Sequence, residues 1–246
     1  MKRNDRFTPL ARLLVLASSA VALAACAHDS ASSPAPASSA VTTSAGANAP
    51  TSTPQAASSP LAQPGAVAAV GQGAPDFTLT DIDGKTISLH EYAGKVVVLE
   101  WFNPKCPFVN AAHTKASLKG MAARREAQGT VWLAINSSGE GKQGYGAEET
   151  RAGKLRFGLD HPILLDPTGI VGHAYGATNT PHMFVIDPSG VLVYRGAIDN
   201  SPDGEGESPT GGKLVNYVDQ ALDDLAAKRP VSTPETKAYG CGVKYR

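Results

Sequence analysis

Cysteine is scarce in this chain: it occurs three times in 246 residues, at positions 26, 106 and 241. So few, so far apart, exclude both a disulfide-dense scaffold and any Cys-x-x-Cys pair. An excess of charge of one sign is missing too, since 22 Lys and Arg face 22 Asp and Glu. With no basic stripe to follow a phosphate backbone, nucleic acid is excluded as a partner. No apolar run reaches the roughly 20 residues that span a bilayer. From Leu13 to Val70 there is no Trp, Tyr or Phe, and Asp29 is the sole charge. That stretch cannot build a core, and only the chain beyond it mixes aromatic, charged and apolar residues as a folded domain does.

What the amino end does contain is scattered positive charge at Lys2, Arg3, Arg6 and Arg12, followed by the short apolar run Leu13 to Ala25. Residues 1–25 therefore read as a secretory signal peptide. The run closes with Leu23-Ala24-Ala25-Cys26, which resembles the lipobox of bacterial lipoproteins. The resemblance implies that Cys26 is acylated and becomes the new amino terminus, a stable membrane anchor. Ala27 in place of Asp implies, on the same footing, an outer-membrane address facing the periplasm. The alternative is an ordinary cleaved signal with a cysteine nearby. After the lipidated cysteine, residues 26–70 are rich in Ser, Ala, Pro and Thr without any period, and read as a flexible tether with a reach on the order of tens of Å.

Residues 71–228 show the alternation of an α/β domain. Phe77 to Thr80 and Thr86 to Leu89 flank Asp81-Ile82-Asp83-Gly84, the pattern of a β-hairpin. Val96 to Leu99, Val131 to Ile135 and Ile163 to Leu165 are short, apolar and largely β-branched, as buried strands are. A helix is expected after Cys106 through Leu118 and Met121 to about Gly129, with others near Glu148 to Arg156 and from Asp166 through Tyr175. Met183 to Ile186 and Val191 to Tyr194 flank a second turn, and a last helix carries Leu214, Val218, Leu222 and Leu225 on one face. The fold class expected is an α/β sandwich with a central mixed sheet flanked by helices, an N-terminal β-hairpin and a C-terminal extension, residues 229–246.

Gly73-Ala74-Pro75-Asp76-Phe77-Thr78-Leu79, a cysteine opening a helix after a buried strand, Thr180-Pro181 before a strand and the Asp187 to Gly190 turn resemble the redoxin group of the thioredoxin superfamily. Cys106-Pro107-Phe108-Val109 and Tyr239-Gly240-Cys241-Gly242-Val243-Lys244-Tyr245 are similar, more narrowly, to a peroxiredoxin-like (AhpC/TSA) subgroup of bacterial redoxins. The resemblance covers residues 71–246. It implies a thioredoxin-like sandwich and thiol chemistry, with no cofactor.

A cysteine between a buried strand and a helix amino terminus meets the positive end of the helix, which favours the thiolate and makes Cys106 the candidate nucleophile. Thioredoxins place a second cysteine three residues on, where this chain has Val109. Peroxiredoxins place Pro and a hydroxyl seven and three residues before theirs, where Leu99 and Asn103 stand. Glu100 matches the buried acid of thioredoxins, which implies a raised pKa and a proton-shuttling role; a solvated residue or an ion pair with a nearby Lys is the other reading. Thr180-Pro181 matches the loop whose cis-proline faces the reactive sulfur and offers its backbone to a bound polypeptide. His182 follows it, and Trp101, Phe102 and Pro107 are expected at an apolar rim around the sulfur.

Cys241, between two glycines that suggest mobility, is the candidate resolving thiol; a permanent Cys106–Cys241 staple is the alternative. The function expected is an envelope-anchored thiol-disulfide oxidoreductase acting on protein or small-molecule thiols and disulfides. A thiol peroxidase and a non-catalytic or metal-delivering module, drawing on His113, His173 and His182, are the competing readings. No metal-ligand spacing supports the last.

Overall fold

The computed structural model describes residues 67–246; the signal segment, Cys26 and most of the tether lie outside them. Among the described residues no helix is long and apolar enough to cross a membrane. Packed chain begins before Gly71. Ala68 is buried and its N–H donates to Ala174 O at 2.8 Å, so the tether gives way to the domain a few residues earlier than composition suggested.

A seven-stranded sheet forms the middle layer. The hairpin β1 (Thr78–Asp81) and β2 (Thr86–Ser88) turns through Gly84, whose φ of 84° suits a residue without a Cβ. Three strands follow, β3 (Val97–Trp101), β4 (Val131–Asn136) and β5 (Ile163–Leu165), and run parallel to one another. They are apolar almost throughout because both faces are covered. Beyond the two-residue β6 (Asn179–Thr180), β7 (His182–Ile186) returns antiparallel to β3 and pairs with β8 (Leu192–Gly196). The order is β2-β1-β5-β4-β3-β7-β8, a mixed sheet as expected.

One face of the sheet carries Val97, Leu99, Trp101, Phe184 and Ile186 against Tyr175 of α4 (Ile170–Tyr175); the other carries Val98, Trp132, Met183 and Val185 against α2 (Met121–Glu126) and α5 (Tyr217–Ala226). Strand alternation sorts the side chains of β3 between these two layers. The helix α3 (Ala147–Phe157) covers the β5 end.

Two helical expectations change. The single helix after Cys106 is two, α1 (Pro107–Thr114) and α2, separated where Thr114 Oγ1 bonds back to Asn110 O at 2.7 Å and Gly120 takes a left-handed φ of 64°. The last helix starts at Tyr217, capped by Asn216 Oδ1 accepting from Asp219 N, and leaves Leu214 outside it and exposed.

The segment 229–246 is not loose. Its end forms β9 (Cys241–Gly242), which pairs antiparallel with β6 so that Cys241 stands opposite Thr180. The glycines flanking Cys241 serve fit rather than mobility at Gly240, whose φ is 106° and whose Cβ, if it had one, would run into Thr180 O.

Candidate active site around two thiols

Cys106 is the N-cap of α1, with Pro107 at the first helical position, where its missing N–H costs nothing. The loop that delivers it is held by Asn103. Its amide nitrogen donates to Ser138 Oγ and Gln143 O, its Oδ1 accepts from Lys105 N at 2.8 Å, and its carbonyl accepts from Cys106 N. Gly144 makes room for this amide, since a side chain there would collide with it.

The Cys106 thiol donates to Thr180 O at 3.0 Å. The Thr180–Pro181 bond is cis. On the far side of Thr180, β9 brings Cys241 to the same place, opposite Thr180 in the strand pairing and packed against the apolar cluster that holds Cys106. Both cysteines are free. Burial, and then the hydrogen bond and charge of Cys106, push the Cys241 thiol up to about 11. Two thiols 135 positions apart thus belong to one apolar cluster, with Phe102, Val109 and Phe108 around them.

Several candidate residues lie elsewhere than the sequence suggested. Cys106 is only 1% exposed, covered rather than open. Phe102 is fully buried behind it, and Pro107 alone of the three rim candidates is exposed. Trp101 points into the opposite layer, 5.0 Å from Phe184 and 5.4 Å from Tyr175 between ring centroids, and donates its Nε1 hydrogen to Ser137 Oγ. It is core, because the strand period puts it on the other face from Phe102. His182 pairs in register with Trp101, lies against Phe184 with ring centroids 4.5 Å apart in a tilted arrangement, and accepts from Thr178 N through Nδ1. Burial, with the Arg195 charge, pulls it down to about 4, so it is a neutral packing residue.

Glu100 is fully buried, and its partner is a histidine rather than a lysine. Oε1 meets His113 Nε2 at 2.8 Å, and Oε2 accepts from Trp132 Nε1 at 3.2 Å. Burial by itself would raise this carboxyl; the His113 charge and hydrogen bond, aided by His161 and Trp132, outweigh it and hold the pKa below the ordinary value. The direction is thus opposite to the raised pKa expected from burial alone, because His113 and Trp132 sit against the carboxyl. His173 stacks on Tyr245 at 4.1 Å. The three histidines considered for a metal thus sit in three separate environments, and among the described residues no group of three or more His, Cys, Asp or Glu is placed to hold a metal ion.

Against this geometry, the family model described as AhpC/TSA matches residues 70–195. The chain belongs to the AhpC/TSA family. The fold is accordingly thioredoxin-like, with the mixed sheet and flanking helices described above. Among curated relatives, a thiol-disulfide oxidoreductase ResA from Geobacillus thermodenitrificans is 33% identical over 127 residues, which is 48% of this chain and 63% of that protein. A protein of the same name from Geobacillus kaustophilus is 30% identical over 125 residues, with the same coverage. The chain therefore spans less than two thirds of the length of these relatives. Among solved structures, a hypothetical protein from Sinorhizobium meliloti superposes with a TM-score of 0.64 at 29% identity, over 72% of this chain and 95% of the other. An uncharacterized conserved protein from Geobacillus kaustophilus gives 0.63 at 30% identity, over 72% and 93%.

Cys106, Thr180 and Glu100 fall inside the family match and Cys241 falls outside it. Sequence reasoning missed two supports of the site, the Asn103 clasp and the buried Asp166. Asp166 Oδ2 accepts from Ser137 Oγ at 2.7 Å and from Gly172 N, tying the end of β4 to α4. An Asp before Pro167 reads as a turn residue, and nothing local marks it as buried.

Proposed function

We propose that the chain is an envelope-anchored thiol-disulfide oxidoreductase in which Cys106 is the nucleophile and Cys241 the resolving thiol. The observation that carries this is the placement of both thiols in one apolar cluster beside Thr180, at the amino end of α1. In the reducing direction the Cys106 thiolate attacks a substrate disulfide sulfur, forming a mixed disulfide and releasing one substrate thiolate. Cys241, giving its proton to the departing substrate sulfur, then attacks Cys106 Sγ; the mixed disulfide breaks and the second substrate sulfur leaves as a thiol. The product is a Cys106–Cys241 disulfide, and two electrons have passed to the substrate. A dithiol donor returns the enzyme to the reduced state.

The relatives named thiol-disulfide oxidoreductase support the reaction class. Protein and small-molecule disulfides are the substrates it fits, with Thr180 and Pro181 beside the reacting sulfur. Anchoring rests on the lipobox resemblance at Cys26, and an outer-membrane address facing the periplasm on Ala27.

The test is disulfide exchange with purified protein. Cys106→Ser should abolish turnover while the fold persists, and Cys241→Ser should trap the mixed disulfide on Cys106. The Cys106–Cys241 couple should lie above about −300 mV, the value below which structural disulfides fall. Turnover that survives Cys106→Ser would sink the reading. Peroxide consumption faster than that of free cysteine, lost with Cys106, would favour a peroxidase instead.

A further inference from the structure

The tail after Tyr239 is docked into a slot that the rest of the domain is shaped to receive. Val243 N donates to Thr178 O at 3.0 Å, Asn179 Nδ2 donates to Gly240 O at 3.0 Å and Gly139 N donates to Lys244 O at 2.8 Å. Tyr245 donates its hydroxyl hydrogen to Ala177 O at 2.8 Å and stacks on His173. Gly169 and Gly172 leave the space its ring fills; a Cβ on Gly169 would lie 2.7 Å from Tyr245 Cδ1, and one on Gly172 would collide with the hydroxyl. Gly139 gives way in the same manner to the backbone of Arg246.

This strand occupies the edge of β6, Asn179–Thr180, which is the backbone beside Cys106. Where β9 lies, an incoming extended polypeptide cannot add to that edge, because each strand edge pairs once. Cys106 is 1% exposed with the tail in place.

Resting on the thiol reading above, we propose that residues 240–246 are a latch. The tail fills the polypeptide-binding edge as a built-in strand, and Tyr245 in the Gly169/Gly172 slot holds it there. An extended polypeptide carrying a disulfide reaches Cys106 only when the latch lifts, and redocking brings Cys241 back to resolve the mixed disulfide. The closed state thus both shields Cys106 and completes the reaction. The apparent rate with a polypeptide substrate equals its intrinsic rate scaled by the fraction of molecules with the latch open.

The experiment compares the full chain with Cys241→Ser, the full chain with Cys241→Ser and Tyr245→Ala, and a shortened chain ended after Tyr239. Each keeps Cys106 and lacks the resolving thiol, so the probe, a short extended peptide bearing an activated mixed disulfide on its cysteine, reports one step. That step is attack by Cys106 on the peptide sulfur, release of a chromophoric thiol and formation of a peptide–Cys106 disulfide. Tyr245→Ala should speed it about tenfold, equivalent to about 1.4 kcal/mol of docking, and the shortened chain at least as much. A synthetic peptide of residues 237–246 with Ser at 241 should slow the shortened chain again by refilling the edge. Equal rates in Cys241→Ser and the shortened chain would overturn the latch while leaving Cys106 as nucleophile. No release of the chromophore from any form would overturn the nucleophile, and the latch with it.

Discussion

Glu100 and His113 form a buried pair behind the site, joined at 2.8 Å. Neither side chain has more than 2% exposure, so removing one leaves the other without its partner in a low-dielectric interior. Glu100→Ala should lower unfolding free energy by about 3–5 kcal/mol, measured by denaturant titration. Glu100→Gln keeps the shape but not the charge and should cost less. Two further histidines set the acid response. Burial depresses His161 and His182 from 6.5 to about 4, and His161 Nε2 has no hydrogen-bond partner. The unfolded chain takes up these protons near pH 6.5 while the folded chain resists until about 4. Stability is thus lost as pH falls across that window, by about 3 kcal/mol for each group at most. Glu100, held below its ordinary value, adds its loss only below about 4.5. His161→Leu should flatten part of the slope between pH 6.5 and 4 in denaturation curves taken at several pH values. An unchanged slope would show that His161 is not held neutral.

At the scale of elements, the decisive unit is the junction of β3, the Asn103 loop and α1, with β6 and β9 closing over it. Hairpin β1–β2, the apolar strands β3 to β5 and the amphipathic α5 were legible from period and turn chemistry alone, because those signals are local. The break between α1 and α2 was not, because Leu118 and Met121 keep a helical spacing across it. Partners far along the chain fix the break: the Ser117 hydroxyl bonds Asp199, and Asn216 Nδ2 donates to Ser117 O. For the same reason β9 was unreadable, since two residues carry no period and pair only where Thr180 waits. Gly240→Ala tests that pairing. A Cβ there would strike Thr180 O, and the φ of 106° disfavours a side chain. Under a mild oxidant its Cys106–Cys241 disulfide should form about tenfold more slowly or worse, taking each 1.4 kcal/mol of lost docking as a factor of ten. Mass-spectrometric thiol trapping reads the rate.

For the whole molecule, the placement of the thiols separates this chain from a thioredoxin. Cys106 keeps the position at the start of α1, but its partner comes from the opposite end of the sequence. Val109, where thioredoxins have a cysteine, is fully buried. In the proposed mechanism a thiol delivered by a tail would join catalysis to tail docking, which a local Cys-x-x-Cys does not. Anchoring is a separate question at this scale. If Cys26 is acylated, the protein should partition into the membrane fraction and incorporate labelled fatty acid, and Cys26→Ser should release it without changing exchange rates in detergent. Membrane association that persists unlabelled would argue against the lipobox.

Composition and local period determined the signal-like amino end, the coreless stretch after it, the α/β alternation and the single cysteine at a strand-to-helix junction, because each is written in neighbouring residues. The tertiary structure decided the rest. It closed Glu100 into a buried pairing with His113, in the last turn of α1, and with Trp132. It sent Trp101 and His182 to the core layer away from the thiol, since adjacent strand residues face opposite ways. It also brought Cys241 to Cys106 across the length of the domain, a contact made by backbone pairing with Thr180 and by glycines that leave room for the tail, neither of which any local pattern encodes.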